Sequence, residues 1–263
     1  MVSYPEIDPV ALNIGFLKIH WYGVSYVFGV LAAWCLLRFR GVKDQWGYSP
    51  EEISDLIFYA MLGIIIGGRL GSVVFYNMSY YIQHPIEIIY LQHGGMSFHG
   101  GLLGVFVAVW FFSHKYNKSF FKVTDFIAPV IPIGLGSGRI GNFINGELWG
   151  SPSNLPWAMV FPDPAAGGLT RHPSQLYEAL LEGLLLFIIL WWFSSKPRPI
   201  MAISGLFLFG YGIFRFIVEF IRVPDSHIGY LAFDFVTMGM LLSIPMILFG
   251  FILFGVAFRT KGN

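Results

Sequence analysis

Long apolar runs recur along this chain, and they limit what it can fold into more than any other feature. Seven stretches stand out, at approximately residues 20–39, 53–76, 97–113, 121–141, 175–193, 201–221 and 232–257, with short polar segments between them. Crossing about 30 Å of hydrocarbon takes roughly 17 to 25 helical residues. Within lipid every backbone N–H and C=O must be satisfied internally, which a helix achieves by itself. The expected fold class is therefore all-α, a polytopic integral membrane protein with seven transmembrane helices. Composition agrees: 56% of the 263 residues are hydrophobic, only 12% are charged, and mean hydropathy is +0.65, outside the range of soluble domains. No internal repeat and no low-complexity tract divides the chain, so residues 1–263 read as a single transmembrane domain.

The third run is short and opens on "HGGMSFHGG", which suggests an outer end of irregular backbone lining a cavity. The stretch from 142 to 174 is rich in Pro, Gly and Trp and too polar to cross, so it forms an external segment between helices four and five. The N-terminus has no basic region followed by a short apolar core and a small-residue cleavage site, so no signal peptide is read.

Loop cations set the orientation. Arg38, Arg40, Lys43, Lys115, Lys118, Lys122, Lys196, Arg198, Arg259 and Lys261 fall on one side of the spans, and only Lys18, Arg171 and Arg222 on the other. An excess of Lys and Arg in short loops marks the cytoplasmic side. The N-terminus is then expected outside and the C-terminus in the cytoplasm.

Several function classes are disfavoured early. A net charge of +1 with no basic run gives no footprint for nucleic acid. Cys35 is the only cysteine, which excludes an intramolecular disulfide and a cysteine cluster, and it reads as a packing residue. The seven histidines show no ligand spacing, so neither a metal nor another cofactor is expected. "GSGRIG", residues 136–141, satisfies G-x-G-x-x-G but sits in a membrane span with no βαβ unit around it.

The informative residues are polar groups inside apolar runs. Arg69, Arg139 and Arg215 lie within spans, where an ionised side chain is costly and marks function by default. Counting along their spans at about 1.5 Å per residue puts all three in the outer half. His20 and Tyr22, His99, Gln175 and Glu178, and Glu219 fall in the same layer from other spans. Convergence at one depth indicates a cavity open to the outer leaflet. Gly63, Gly67, Gly68 and Gly71 on span two, with Gly134, Gly136, Gly138 and Gly141 on span four, permit close helix approach and could set Arg69 facing Arg139. Gly138 and Gly141 flank Arg139 where the backbone is expected to bend toward a ligand.

Two intramembrane guanidiniums without an equal number of carboxylate neighbours call for an anion, and the planar fork of arginine matches phosphate oxygens. At outer-leaflet depth that anion is a lipid headgroup. Arg215 could also pair internally with Glu219 at i+4, and Arg139 with Glu147. A salt-bridged arginine still has donors for phosphate. His99 becomes a candidate proton acceptor. Two rival readings stand beside this one: an anion carrier lined by arginines, and an intramembrane serine protease using Ser137 and His99.

"GLGSGRIGNFINGELWG", residues 134–150, resembles the signature of bacterial phosphatidylglycerol-prolipoprotein diacylglyceryl transferases. The similarity continues through "HWYG", "GGRLG", "GGMSFHGGLLG", "SFFKVTDFIAPVIPIGLG", "RHPSQLYEALLEG" and "SGLFLFGYGIFRFIVEF", touching nearly every span. The external segment looks short for that family. The resemblance implies transfer of diacylglycerol from phosphatidylglycerol to the thiol of a lipobox cysteine at the signal peptide of a prolipoprotein, with release of glycerol phosphate. It further implies a bacterial inner-membrane enzyme whose site faces the periplasmic half. By the same similarity Arg139 and Arg215 are the essential arginine pair, and His99 is the histidine of the H-G-G motif. Tyr22, Asn142, Glu147 and Gly150 fall on important positions, with Tyr211 and Glu219 accompanying Arg215. Arg69 joins the expected substrate-binding residues on the strength of its depth.

Overall fold

The computed structural model describes residues 2–5, 7–15, 17–42, 46–90, 94–224, 229–233 and 235–259, without the side chain of Leu17. Lys43 and Lys261 from the loop cations, and His93 and His227, lie outside the described residues.

Chain order begins with β1 (Val10–Ile14) and β2 (Leu17–His20), an antiparallel pair, then α1 (Trp21–Gly41), α2 (Pro50–Tyr76), α3 (Met78–Gln83) and α4 (Phe98–Lys115). Next come α5 (Phe120–Ile127), α6 (Ile131–Ile144), the short antiparallel strands β3 (Met159–Val160) and β4 (Thr170–Arg171), and α7 (Ser174–Glu178). A π-helical segment (Ala179–Leu185) leads into α8 (Leu186–Phe193), followed by α9 (Ala202–Glu219) and α10 (Met238–Arg259). The expected all-α class is thus corrected to mainly helical. The two hairpins form where the chain leaves the apolar runs and glycines with positive φ, Gly15 and the pair Gly167–Gly168, turn the backbone.

Among the described residues, six helical stretches are long and apolar enough to cross a membrane: Trp21–Gly41, Pro50–Tyr76, Phe120–Ile144, Ser174–Phe193, Ala202–Glu219 and Met238–Arg259. The third expected run forms the 18-residue α4, whose last turn is the polar Ser113–His114–Lys115, and it is not among those six. The fourth run is interrupted: Pro129 and Pro132 lack the N–H that would continue the ladder, and one 3₁₀ turn, Ala128–Val130, separates α5 from α6.

Contacts divide the chain into two compact units, Leu37–Thr124 and the remainder, Met1–Leu36 with Asp125–Asn263. In the first, α2 starts at a capping box in which Ser49 and Glu52 satisfy each other's backbone, with proline at the first turn. Its glycines 63, 67 and 71 lie against Gly100 and Gly104 of α4; a Cβ on Gly71 would fall 2.6 Å from the Cα of Gly100. These glycines therefore serve the α2–α4 approach, which corrects the expectation that they pair with span four.

In the second unit, α9 is capped from a distance. Asp125 on α5, buried, accepts from the backbone N–H of Met201 (2.8 Å) and Ser204 (2.7 Å) and from the Ser204 hydroxyl (2.6 Å). Where α6 ends, the Tyr4 hydroxyl donates to the carbonyls of Phe143 (2.5 Å) and Ile144 (3.0 Å), and Phe143 packs with Phe161 and Ala166. Burial of that phenol raises its pKa.

Candidate active site

α6 presents Arg139, α7 ends on Glu178, and α9 carries Arg215 and Glu219 one turn apart. A glycine contact brings the first two together. Gly136 meets Gly183 of the π-helical segment so closely that a Cβ on Gly183 would fall 2.7 Å from the Cα of Gly136. That contact lies one turn before Arg139 and one turn beyond Glu178, so it fixes the carboxylate against the guanidinium. A π-helical turn inside an α-helix is itself a common mark of a functional site.

Arg139 Nε lies 2.5 Å from Glu178 Oε2, and Arg215 Nη1 lies 3.5 Å from the same oxygen. Arg215 Nη1 is also 3.9 Å from Glu182 Oε1, while its Nη2 pairs with Glu219. Arg222 Nη1 adds a further contact to Glu219 Oε1 at 3.8 Å. Arg139 and Arg215 converge on one Glu178 oxygen, and the internal Arg215–Glu219 pair forms. The absence of balancing carboxylates is overturned, because Glu178, Glu182 and Glu219 face Arg139, Arg215 and Arg222. Burying so many charges in a span is tolerable only when each is paired.

Glu219 is held on several sides. The Thr237 hydroxyl donates to it, and Gly239 leaves the space its carboxylate fills at the start of α10. Its charge sits where the positive end of that helix favours an anion.

Beyond Arg139 a polar chain follows. Arg139 Nη1 reaches Asn142 Oδ1 at 3.5 Å, and Asn142 Nδ2 donates to Glu147 Oε1 at 2.8 Å. Asn145 donates to the same oxygen at 3.3 Å, and Gln175 Nε2 donates to the Glu147 carbonyl at 2.6 Å. Glu147 thus reaches Arg139 through Asn142. The backbone does not bend at Gly138 and Gly141, as the sequence suggested: α6 runs through both to Ile144, and the turn comes later, where Gly146 (φ 69°) and Leu148 (φ 58°) take left-handed conformations. Gly141 instead admits α1, with Tyr22 and Ser25 packed on it; the Tyr22 hydroxyl lies 2.9 Å from that of Tyr26.

Gly150 is pinched rather than open. Its N–H donates to the His172 carbonyl at 2.8 Å, and a Cβ would fall 2.6 Å from the Ile221 carbonyl oxygen. It ties the segment that follows α6 to the end of α9, next to Arg222. His172 approaches the Tyr177 hydroxyl at 3.3 Å, and partial burial lowers the pKa of its imidazole. Tyr211 lies one turn before Arg215 and stacks on Phe207 at 5.9 Å.

Arg69 and His99 belong to the other compact unit. Arg69 is buried, and its guanidinium makes five hydrogen bonds to backbone oxygens: Ile88 (2.7 Å), Glu87 (2.7 Å), Tyr90 (3.1 Å), Gly95 (3.4 Å) and Gly94. This corrects its expected place among substrate-binding side chains, since those bonds engage its whole donor set. His99 is exposed in the first turn of α4, its ring edge-on to Phe98 at 5.7 Å.

Comparison with known proteins supplies the lineage. Residues 9–256 match the family described as "Prolipoprotein diacylglyceryl transferase". The chain belongs to that family. Among relatives, a phosphatidylglycerol-prolipoprotein diacylglyceryl transferase of Pseudomonas paraeruginosa is 57% identical over 259 residues, covering 98% of this chain and 97% of the relative. Proteins of the same name from Oleidesulfovibrio alaskensis and Methylococcus capsulatus are 56% and 55% identical, each over 99% of this chain. Coverage of 97% to 99% of these relatives leaves no room in them for a much longer segment between α6 and α7, so the expected shortness is not seen against them.

Within this prolipoprotein diacylglyceryl transferase family member, sequence reasoning missed Glu182, Arg222 and Thr237, and named Glu178 among the converging polar groups without a role. The signal was present: Glu178 and Glu182 are spaced i, i+4 inside an apolar run, as anomalous there as the arginines.

Proposed function

We propose that this membrane protein transfers the diacylglyceryl group of phosphatidylglycerol to the thiol of a prolipoprotein cysteine, forming a thioether and releasing glycerol phosphate. The observation that carries the reading is the shared contact of Arg139 and Arg215 with one Glu178 oxygen. It gathers two guanidiniums that are still 22% and 14% exposed, so donors remain for a phosphodiester.

In the reaction the sulfur attacks the glyceryl carbon, the bond from that carbon to the phosphate oxygen breaks, and its electron pair leaves on glycerol phosphate. Arg139 and Arg215 orient the phosphodiester and meet the charge that builds on the leaving oxygen. A thiol with a pKa near 8.5 is mostly protonated at neutral pH, so its proton must be taken up. We assign that to His99, supported by the H-G-G resemblance and by the exposure of the ring. Asn142 and Glu147 hold Arg139 from its far side, Glu219 holds Arg215, and Gly150 fixes the external segment. Tyr22 and Tyr211 offer neutral hydrogen bonds to headgroup or peptide. Arg69 is placed with the backbone it organises.

Seven spans are included in the reading, α4 being the seventh. The loop cations place the N-terminus and residues 142–174 on the periplasmic side of the bacterial inner membrane and the C-terminus in the cytoplasm. The peptide partner is a signal peptide ending in a lipobox cysteine.

The test is direct. Purified protein in vesicles with acyl-labelled phosphatidylglycerol should move label to the cysteine of a lipobox peptide and release glycerol phosphate. Flux of headgroup phosphate across sealed vesicles with no labelled peptide would favour a carrier instead.

A further inference from the structure

Behind the two arginines lies a pair of carboxylates that the transfer reaction does not itself require. Glu178 is fully buried and Glu182 is 1% exposed, whereas Arg139 and Arg215 keep 22% and 14% of their side chains accessible. The guanidiniums are thus the accessible members of this cluster, and Glu178 is shielded from solvent behind the surface they share. Its Oε2 nevertheless contacts both arginines, at 2.5 Å and 3.5 Å. Neither of its oxygens makes a well-directed hydrogen bond, and Glu182 Oε1 has none either. Salt bridges chosen only for stability would be expected to satisfy those lone pairs. The π-helical segment, which begins just after Glu178 and contains Glu182, is clamped at Gly183 against Gly136 and holds both carboxylates toward Arg215.

We infer that Glu178, supported by Glu182, is the positioning residue of the arginine pair, setting the separation and tilt at which Arg139 and Arg215 receive the phosphodiester. The inference rests on the transferase reading above. Aligned donors matter most when charge develops on the leaving oxygen, so misalignment should slow the chemical step more than it weakens lipid binding. Removing a negative charge from behind two guanidiniums also makes the site more attractive to an anionic lipid. The two effects move kcat and KM in ways that a general loss of structure would not.

The experiment uses the full-length protein in phosphatidylglycerol vesicles with a lipobox peptide, reading kcat and apparent KM for the lipid per folded molecule, alongside a melting curve. Glu178→Gln should lower kcat by about 100-fold while the lipid KM stays the same or falls by up to ~5-fold, and Glu178→Asp should restore about 10-fold of the loss. Glu182→Gln should cost kcat only about 5-fold. A kcat for Glu178→Gln within about 3-fold of wild type overturns the inference, as does a kcat loss that vanishes once the folded fraction is counted. Should Glu178→Gln fail to fold, Glu178→Asp decides: an approximately 10-fold lower kcat at unchanged KM supports positioning, and a wild-type kcat refutes it. Wild-type protein that forms no thioether removes the transferase reading and this inference together; active wild type with wild-type-like Glu178 variants removes this inference alone.

Discussion

Arg69 and Arg139 look alike in the sequence, each a lone guanidinium deep in a glycine-rich apolar run, yet the two compact units treat them in opposite ways. Arg69 is 3% exposed and bonded to backbone oxygens of the segment from Glu87 to Gly95. Arg139 pairs one edge with Glu178, reaches Asn142 weakly at 3.5 Å, and remains partly open. Carbonyl dipoles can satisfy a guanidinium completely without cancelling its charge, which makes a clamp for a loop. A carboxylate on one edge anchors the charge and leaves donors for a second anion. An intramembrane arginine is therefore read by its partners more than by its depth.

The largest effect expected from this contrast is on transfer. Arg139→Lys and Arg215→Lys should each lower kcat/KM by roughly 100- to 1,000-fold, about 3–4 kcal/mol of transition-state stabilisation, because an ammonium cannot hold a carboxylate and a phosphate oxygen in one plane. Melting temperatures should change little, since the charge is kept. Loss of the folded protein with retained specific activity would reverse the assignment.

Arg69→Lys should do the opposite. Lysine has three donors where five bonds are made, so at least two bonds to partly buried or exposed carbonyls are lost, at about 0.5–1.5 kcal/mol each or more because the guanidinium is charged. The melting temperature should fall by on the order of 5–10 °C while kcat per folded molecule stays within about 3-fold. A headgroup-binding Arg69 would instead show a raised lipid KM at an unchanged melting temperature.

How far the sequence could be read follows the same line. Six spans were readable because hydrocarbon imposes a length on any helix that crosses it, and their runs agree with the observed helices to within a few residues apart from the late start of α10 at Met238; the short third run forms the helix α4 without qualifying as a span. The meeting of Arg139 and Arg215 was readable from shared depth and the family signature. Partner identity was not. Gly63, Gly67 and Gly71 announce close packing but not that α4 supplies the other side, since glycine spacing is the same whichever helix approaches. Nor does composition reveal that Gly138 and Gly141 stay helical, because the conformational freedom of glycine permits a bend without requiring one. Glu178 falls in the polar layer by position but its partner does not follow from position, and Glu182 was missed, although an anion in lipid costs as much as a cation and needs a partner as badly.

Matched glycine substitutions should separate the units at a smaller scale. Gly183→Ala drives a Cβ to 2.7 Å from the Cα of Gly136, and Gly100→Ala drives one to 2.7 Å from the Cα of Gly71. Overpacking of this kind costs about 1–3 kcal/mol in either place. Both variants should melt lower, but only Gly183→Ala should also lower kcat per folded molecule, by about 10-fold, because it moves the carboxylates behind the arginines. Equal kcat losses in the two would show that both respond to a general loss of packing.

The smallest expected effect is on pH. His172 holds Gly150 through its backbone while its ring, partly buried against Tyr177, has a lowered pKa. A histidine with a folded pKa below the unfolded value of about 6.5 binds fewer protons folded than unfolded between the two, so stability rises with pH across that interval. The contribution is complete above about pH 6.5 and is lost as pH falls through the folded pKa. Melting temperature measured from pH 8 to pH 5 should therefore drop more for wild type than for His172→Gln, which removes the titrating ring and leaves the backbone bond to Gly150 in place. Parallel curves would show that protonating this ring does not destabilise the segment between α6 and α7, and that the Gly150 tether is indifferent to the charge beside it.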